Sequence, residues 1–226
     1  MACILNIETS ASICSLALSL DGVLVFSREN TEGLSHASSL GLFVSEALSE
    51  IKHRSMKLDA VAVSSGPGSY TGLRIGVSQA KGLCYGLEIP MIGIPTLGLL
   101  FDTVLRKGCE ADYFCPMIDA RRMEVYAEIY DKSAKICRDV AADIVDENTY
   151  QEYYSKGSML LFGDGASKCK DVIFSNSVRY IEDVLPRAEN MLALSEAAYA
   201  QANFVDTAYF EPFYLKEFMT TQSKRK

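Results

Sequence analysis

With 226 residues, 49% of them hydrophobic and 23% charged, the chain has the makings of one large globular domain or two small ones around a core of ordinary size. A net charge of −7 argues against a sequence-independent grip on a phosphate backbone by this chain alone. The seven cysteines, Cys3, Cys14, Cys84, Cys109, Cys115, Cys137 and Cys169, include no CxxC pair, which speaks against a disulfide framework or structural zinc site and for a reducing compartment.

In chain order, the start Met1-Ala2-Cys3-Ile4-Leu5-Asn6 has no basic region and no long apolar run, so no secretory signal is expected. No stretch reaches the roughly 18 apolar residues of a membrane span, and the expectation is a cytosolic protein with no membrane partner. Residues 3–8 predict a buried strand, 13–20 a second and 23–28 a third. Asp21-Gly22 between the last two is a dipeptide favoured by a two-residue type I′ hairpin, where both central residues need positive φ. Leu40, Phe43, Val44, Ala47, Leu48 and Ile51 recur at helical spacing and predict a helix over 35–52. A strand over 59–65, the turn Gly66-Pro67-Gly68, a helix over 69–85, a strand over 90–93 and a helix over 96–106 follow.

This order, β-β-β-α-β-α-β-α, is an antiparallel meander feeding a parallel unit, the ribonuclease H-like pattern. The second half predicts strands over 113–119, 124–131, 136–140 and 159–162, a helix over 147–155, the turn Gly163-Asp164-Gly165 and a last helix over 191–202. Two α/β halves of similar topology across a cleft are the architecture of the actin-like ATPase (ASKHA) superfamily. The boundary is placed at Arg106-Lys107-Gly108, giving subdomains 1–106 and 107–226.

Four groups of residues could carry chemistry. Glu8, Thr9 and Ser10 end the first strand where an actin-like ATPase places its first phosphate loop, with an acid to hold hydrated Mg²⁺; the alternative is a turn shaped by two hydroxyls. Gly66 and Gly68 open a strand-to-helix turn that could cradle an anion, but the spacing is GxGxxxG and no Gly-Lys dipeptide exists for a Walker loop. Gly72, Gly76 and Ala80 lie four apart on one helical face. Each interior glycine costs roughly 1 kcal/mol against alanine, which implies close approach of another backbone, either the chain's own sheet or a second subunit. His36 and His53 match no metal spacing; His36 suits helix-start hydrogen bonding and His53 a helix C-terminus. The hairpin 117–126, with Arg121 and Arg122 at its tip, could bind an anion or be a solvated turn.

The segments ILNIETSASICSLAL (4–18), SHASSL (35–40), AVSSGPGSYTGLRIGVSQAKGLCYG (62–86), MIGIPTLGLL (91–100), PMIDARRMEVYAEIY (116–130) and PFYLKEF (212–218) resemble the TsaB (YeaZ) family. The stretch 66–86 is the most specific, and IDAR…EVY separates that family from its catalytic relatives. The resemblance implies a non-catalytic subunit that helps TsaD form N6-threonylcarbamoyladenosine at position 37 of ANN-decoding tRNAs, with the ATPase TsaE completing the assembly. It further implies a homodimer in the absence of TsaD, contact with tRNA only through the complex, and no cofactor in the isolated subunit, ATP or ADP and metal belonging to the complex.

TsaD carries two metal-binding histidines four residues apart after the MIGI-type strand. Those positions here are Thr96 and Leu100, and a leucine cannot ligate iron or zinc. The expected partner-binding surface is His36, Leu40, Phe43, Val44, Ala47, Gly72, Gly76 and Ala80, so that Gly76→Leu or Ala80→Arg should abolish TsaD binding in a folded monomer. The alternative function is a small-molecule kinase or ATPase using Glu8, Thr9 and the 66–68 turn. A peptidase would need a metal motif or a Ser/His/Asp set that no spacing supplies.

Overall fold

The computed structural model describes residues 2–31 and 36–216. Ser35, the end of the 212–218 segment and the basic run 224–226 lie outside them. The first half forms β1 (Cys3–Glu8), β2 (Cys14–Leu20), β3 (Val23–Asn30), α1 (His36–His53), β4 (Ala60–Gly66), α2 (Tyr70–Leu87), β5 (Met91–Pro95) and α3 (Thr96–Arg106). The second forms β6 (Tyr113–Asp119), β7 (Glu124–Asp131), β8 (Ile136–Ile144), α4 (Gln151–Tyr154), β9 (Met159–Phe162), β10 (Val178–Ile181) and α5 (Leu192–Ala200), with single 3-10 turns at Ser167–Cys169 and Ala188–Met191.

The two sheets have the same plan. Their orders are β3-β2-β1-β4-β5 and β8-β7-β6-β9-β10: an antiparallel meander of three strands extended by two parallel ones. This is the paired ribonuclease H-like, actin-like fold that the element order implied. Local chemistry explains the parts that matched. Asp21 and Gly22 take φ of 50° and 71°, as a type I′ turn requires. Ser69 caps α2 by accepting the Gly72 N–H at 3.3 Å, and Glu88 ends the helix in the left-handed region.

Two expectations changed. The helix over 147–155 is a single turn, α4, because Asp146 and Thr149 tie the chain into a side-chain-bonded turn just before it. The parallel strand β10 was not anticipated: it is four residues long and pairs with β9 from Val178↔Met159 to Ile181↔Phe162.

Alternation along β1 sets the layers. Cys3, Leu5 and Ile7 face α1 and α2 in one core cluster, with Leu16, Leu18, Val61, Val63, Leu40, Phe43, Val44, Ala47 and Ala80. Ile4, on the other face, packs with Ala62, Ile92, Leu99 of α3 and Met191 and Leu192 of the last helical segment. The opposite side of α3, Leu97, Leu100, Phe101 and Val104, packs on Phe114, Ile118, Leu160 and Phe162 of the second sheet. Helix α3 is thus shared by both sheets.

From Ala188 the chain returns to the first sheet. Val205 N–H donates to Met91 O at 2.9 Å at the open edge of β5, Phe210 lies against Gly93, and Phe213 N–H donates to Ser65 O at 2.7 Å. This strap covers a sheet edge that would otherwise be unpaired.

Candidate functional site

In an open parallel sheet the strands' C-terminal ends are where ligand chemistry collects. Glu8 ends β1, Gly66 ends β4 and Thr96 follows β5; Asp119 ends β6 and Gly163-Asp164-Gly165 follows β9. Glu8 is fully buried and accepts the Ser10 N–H at 2.5 Å. Burial pushes its carboxyl up from the ordinary carboxylate range, and the distant Asp164 charge adds to the rise; the Ser10 amide and the nearby Ser10 and Ser64 hydroxyls pull the other way. Glu8 Oε2, Ser10 Oγ, Ser64 Oγ and Thr96 Oγ1 are buried and have no hydrogen-bond partner among the described residues. Asp164 is also pushed up by burial, while its Oδ1 accepts the Asp119 N–H at 3.0 Å.

The glycine turn does not form a free anion cradle. A Cβ on Gly68 would stand 2.4 Å from Ser10 O and one on Gly66 2.7 Å from Phe213 O. Ser69 N–H is spent on Ser10 O at 2.7 Å. The backbone space that a phosphate would enter is filled by the chain's own first loop and by the strap. A nucleotide with its Mg²⁺, which the fold family implies, does not fit these residues as they stand: the Ser69 donor is occupied, Ser10 and Phe213 crowd the turn, and burial pushes the Glu8 carboxyl toward its neutral form. Among the described residues no three His, Cys, Asp or Glu side chains converge as metal ligands. Leu100, where the resemblance implies a transferase histidine, is fully buried in the apolar layer between the sheets.

Seven of the eight residues expected to form the partner surface face inward. Leu40, Phe43, Val44, Ala47 and Ala80 belong to the core cluster under α1 and α2. Gly72 and Gly76 admit β1's continuation: added Cβ atoms would stand 2.0 Å from Thr9 O and 2.3 Å from Thr9 Oγ1. Thr9 Oγ1 in turn donates to Gly72 O at 2.8 Å. His36 is half-buried with Nε2 3.0 Å from Ala11 O. The small-residue stripe therefore serves the chain's own sheet, and Gly76→Leu or Ala80→Arg would break the monomer before it could report on a partner.

The opposite face of the same two helices is open. Among the described residues nothing lies within 4 Å of a Cβ added at Gly41, Gly82 or Gly86. Around them Leu42 is 58% exposed and Tyr85 86%. At the start of α2, Tyr70, Thr71, Arg74, Ile75 and Ser78 line a shallow groove of about 490 Å³. Arg74 stacks over Tyr70 at 4.9 Å, and Tyr70 lies 4.7 Å from Tyr214 of the strap. The signal for this face was present in the sequence as the complementary phase of the helical period, beginning at Gly41.

The sequence model described as TsaD, tRNA N6-adenosine threonylcarbamoyltransferase, matches residues 33–217. The tRNA threonylcarbamoyladenosine biosynthesis protein TsaB of Escherichia coli (strain K12) is 30% identical over 224 residues, covering 94% of each chain. The structure of YeaZ from Pseudomonas aeruginosa superposes with a TM-score of 0.77 at 25% identity, over 95% of this chain and 100% of that one. The ethanolamine utilization protein EutJ of Carboxydothermus hydrogenoformans, at 9% identity and a TM-score of 0.51 over 84% of this chain and 88% of its own, shares the fold alone.

Proposed function

Because the chain belongs to the TsaB (YeaZ) family, we propose that it acts in tRNA threonylcarbamoyladenosine biosynthesis as a non-catalytic subunit that binds and activates a TsaD-type threonylcarbamoyltransferase. The observation that carries the partner role is the outer face of α1 and α2. Three helical glycines there cost roughly 1 kcal/mol each against alanine, and no contact among the described residues requires them. A second backbone docking on this face supplies the reason. Exposed Leu42 and Tyr85 give it apolar anchors, Tyr85 of a type enriched at such centres.

Support for the absence of catalysis comes from the α3 layer and the cleft. A leucine stands at the second transferase histidine position, packed among apolar side chains, and the cleft acid Glu8 is held toward its neutral form. The same outer face is suited to a homodimer when TsaD is lacking, and the two assemblies would compete. A TsaE-type ATPase, and the nucleotide and metal of the reaction, belong in this proposal to the complex. The setting is the cytoplasm; among the described residues no helix is long and apolar enough to cross a membrane.

A pull-down from native cytosol tests the proposal. The chain should recover a TsaD-type protein, joined by a TsaE-type ATPase when ATP is supplied. Recovery of neither, together with ATP turnover by the isolated chain, would replace it with the kinase alternative.

A further inference from the structure

We propose that the tip of the β6–β7 hairpin is a direct RNA-phosphate contact, with Arg121 and Arg122 as its cationic groups; the choice of RNA rests on the proposed role in tRNA modification. The backbone is the first observation. Arg121 and Arg122 take φ of 69° and 48°, two consecutive side-chain-bearing residues in the left-handed region. Each costs about 1–2 kcal/mol there, and Asn-Gly would occupy such a turn with less strain. A hairpin that keeps two arginines in these positions retains them for their guanidinium groups and not for the turn.

Charge is the second observation. Both arginines are exposed, and neither pairs with an acid among the described residues. The carboxylates that could neutralise them are already engaged. Asp119 accepts the Arg121 N–H at 2.8 Å and pairs with Lys168, whose Nζ also donates to Glu124 O at 2.5 Å. Glu124 pairs with Lys216 of the strap. Asp164 is half-buried and pushed toward its neutral form by burial. Four cations, Arg121, Arg122, Lys168 and Lys216, thus face three carboxylates, Asp119, Glu124 and the half-buried Asp164, a local positive excess on a chain of net charge −7. Lys168 and Lys216 fix the hairpin to β9's following turn and to the strap, which presents the two arginines as a preorganised pair. A guanidinium fork matches phosphate oxygens bidentately, and two successive forks suit successive phosphates of one strand.

The test uses the reconstituted complex of this chain with its TsaD-type partner and a fluorescent in vitro transcript of an ANN-decoding tRNA, titrated at several salt concentrations. The double variant Arg121→Asn/Arg122→Gly relaxes the turn, so its melting midpoint should equal or exceed that of the unaltered chain. The expected result is roughly tenfold weaker RNA binding, with the slope of log K against log salt reduced by about 1 for each arginine removed and co-purification of the partner unchanged. Equal affinity and slope for the two complexes, or no binding by either, overturns the proposal. Loss of partner co-purification in the variant would also overturn it, by making the tip a protein contact. A complex that binds the transcript and shows the arginine effect but forms no threonylcarbamoyladenosine would sustain the contact while sinking the proposed function.

Discussion

Glu8 and Gly76 show how little a residue's type says about its use. An acid followed by two hydroxyls at a strand end suggested phosphate and metal, yet Glu8 is sealed in with its carboxyl pushed up by burial. A folded-state pKa above the unfolded one means that the native state binds a proton the unfolded chain has released. The associated stability is complete below the ordinary carboxylate range, near pH 4.5, and is lost as pH rises through the raised native value. Glu8→Gln should therefore be more stable than the unaltered chain at pH 7, with the advantage vanishing below about pH 4. Urea midpoints at the two pH values measure this, and an advantage that grows on acidification would refute the assignment. Gly76→Ala should lower stability by about 1–3 kcal/mol, because its Cβ would meet Thr9 Oγ1 at 2.3 Å. A midpoint equal to that of the parent would show that Thr9 can give way.

On helices α1 and α2 the hydrophobic period was legible, since Leu40, Phe43, Val44, Ala47 and Ile51 repeat at helical spacing and all are buried. What the period could not reveal is which small residues look inward. Gly72 and Gly82 are indistinguishable as letters; one is pressed on Thr9 and the other meets open space. Gly82→Ala is expected to raise the melting stability of the isolated chain by about 0.5–1 kcal/mol. Gly82→Arg should leave the fold intact and abolish recovery of the TsaD-type partner, read by co-purification. Persistence of the complex would move the interface elsewhere. Strand β10 escaped notice for a different reason: Val178–Ile181 is a short edge strand joined to β9 through a single 3-10 turn, without the helical period that signals a crossover.

At the scale of the molecule the two sheets are joined through α3, whose Leu99 packs against the first and whose Leu97, Leu100, Phe101 and Val104 pack against the second. Phe101 stacks on Tyr130 at a centroid distance of 4.0 Å and meets Phe114 edge-on at 5.6 Å. Phe101→Ala should cost about 3–5 kcal/mol and loosen both sheets together, so hydrogen exchange should accelerate at β4 and β9 amides alike. Acceleration confined to β9 would mean that the sheets unfold independently. The return of residues 188–216 to the first sheet adds a second tie, ending where Lys216 meets Glu124 of the other sheet.

By itself the sequence determined every strand but β10, the helices other than the short α4, the Asp21-Gly22 turn and the repeated meander, because alternation, helical period and turn chemistry act over a few residues. The family resemblance was also written there, in the 62–86 stretch above all. Only the tertiary structure decided that seven of the eight anticipated interface residues are buried, that the glycine turn is closed by Ser10 and Phe213, and that the tip acids pair with lysines 49 to 92 positions away. Each of these depends on contacts between distant segments. The phase of a helix against its sheet and the occupant of a glycine's empty volume have no counterpart in local spacing.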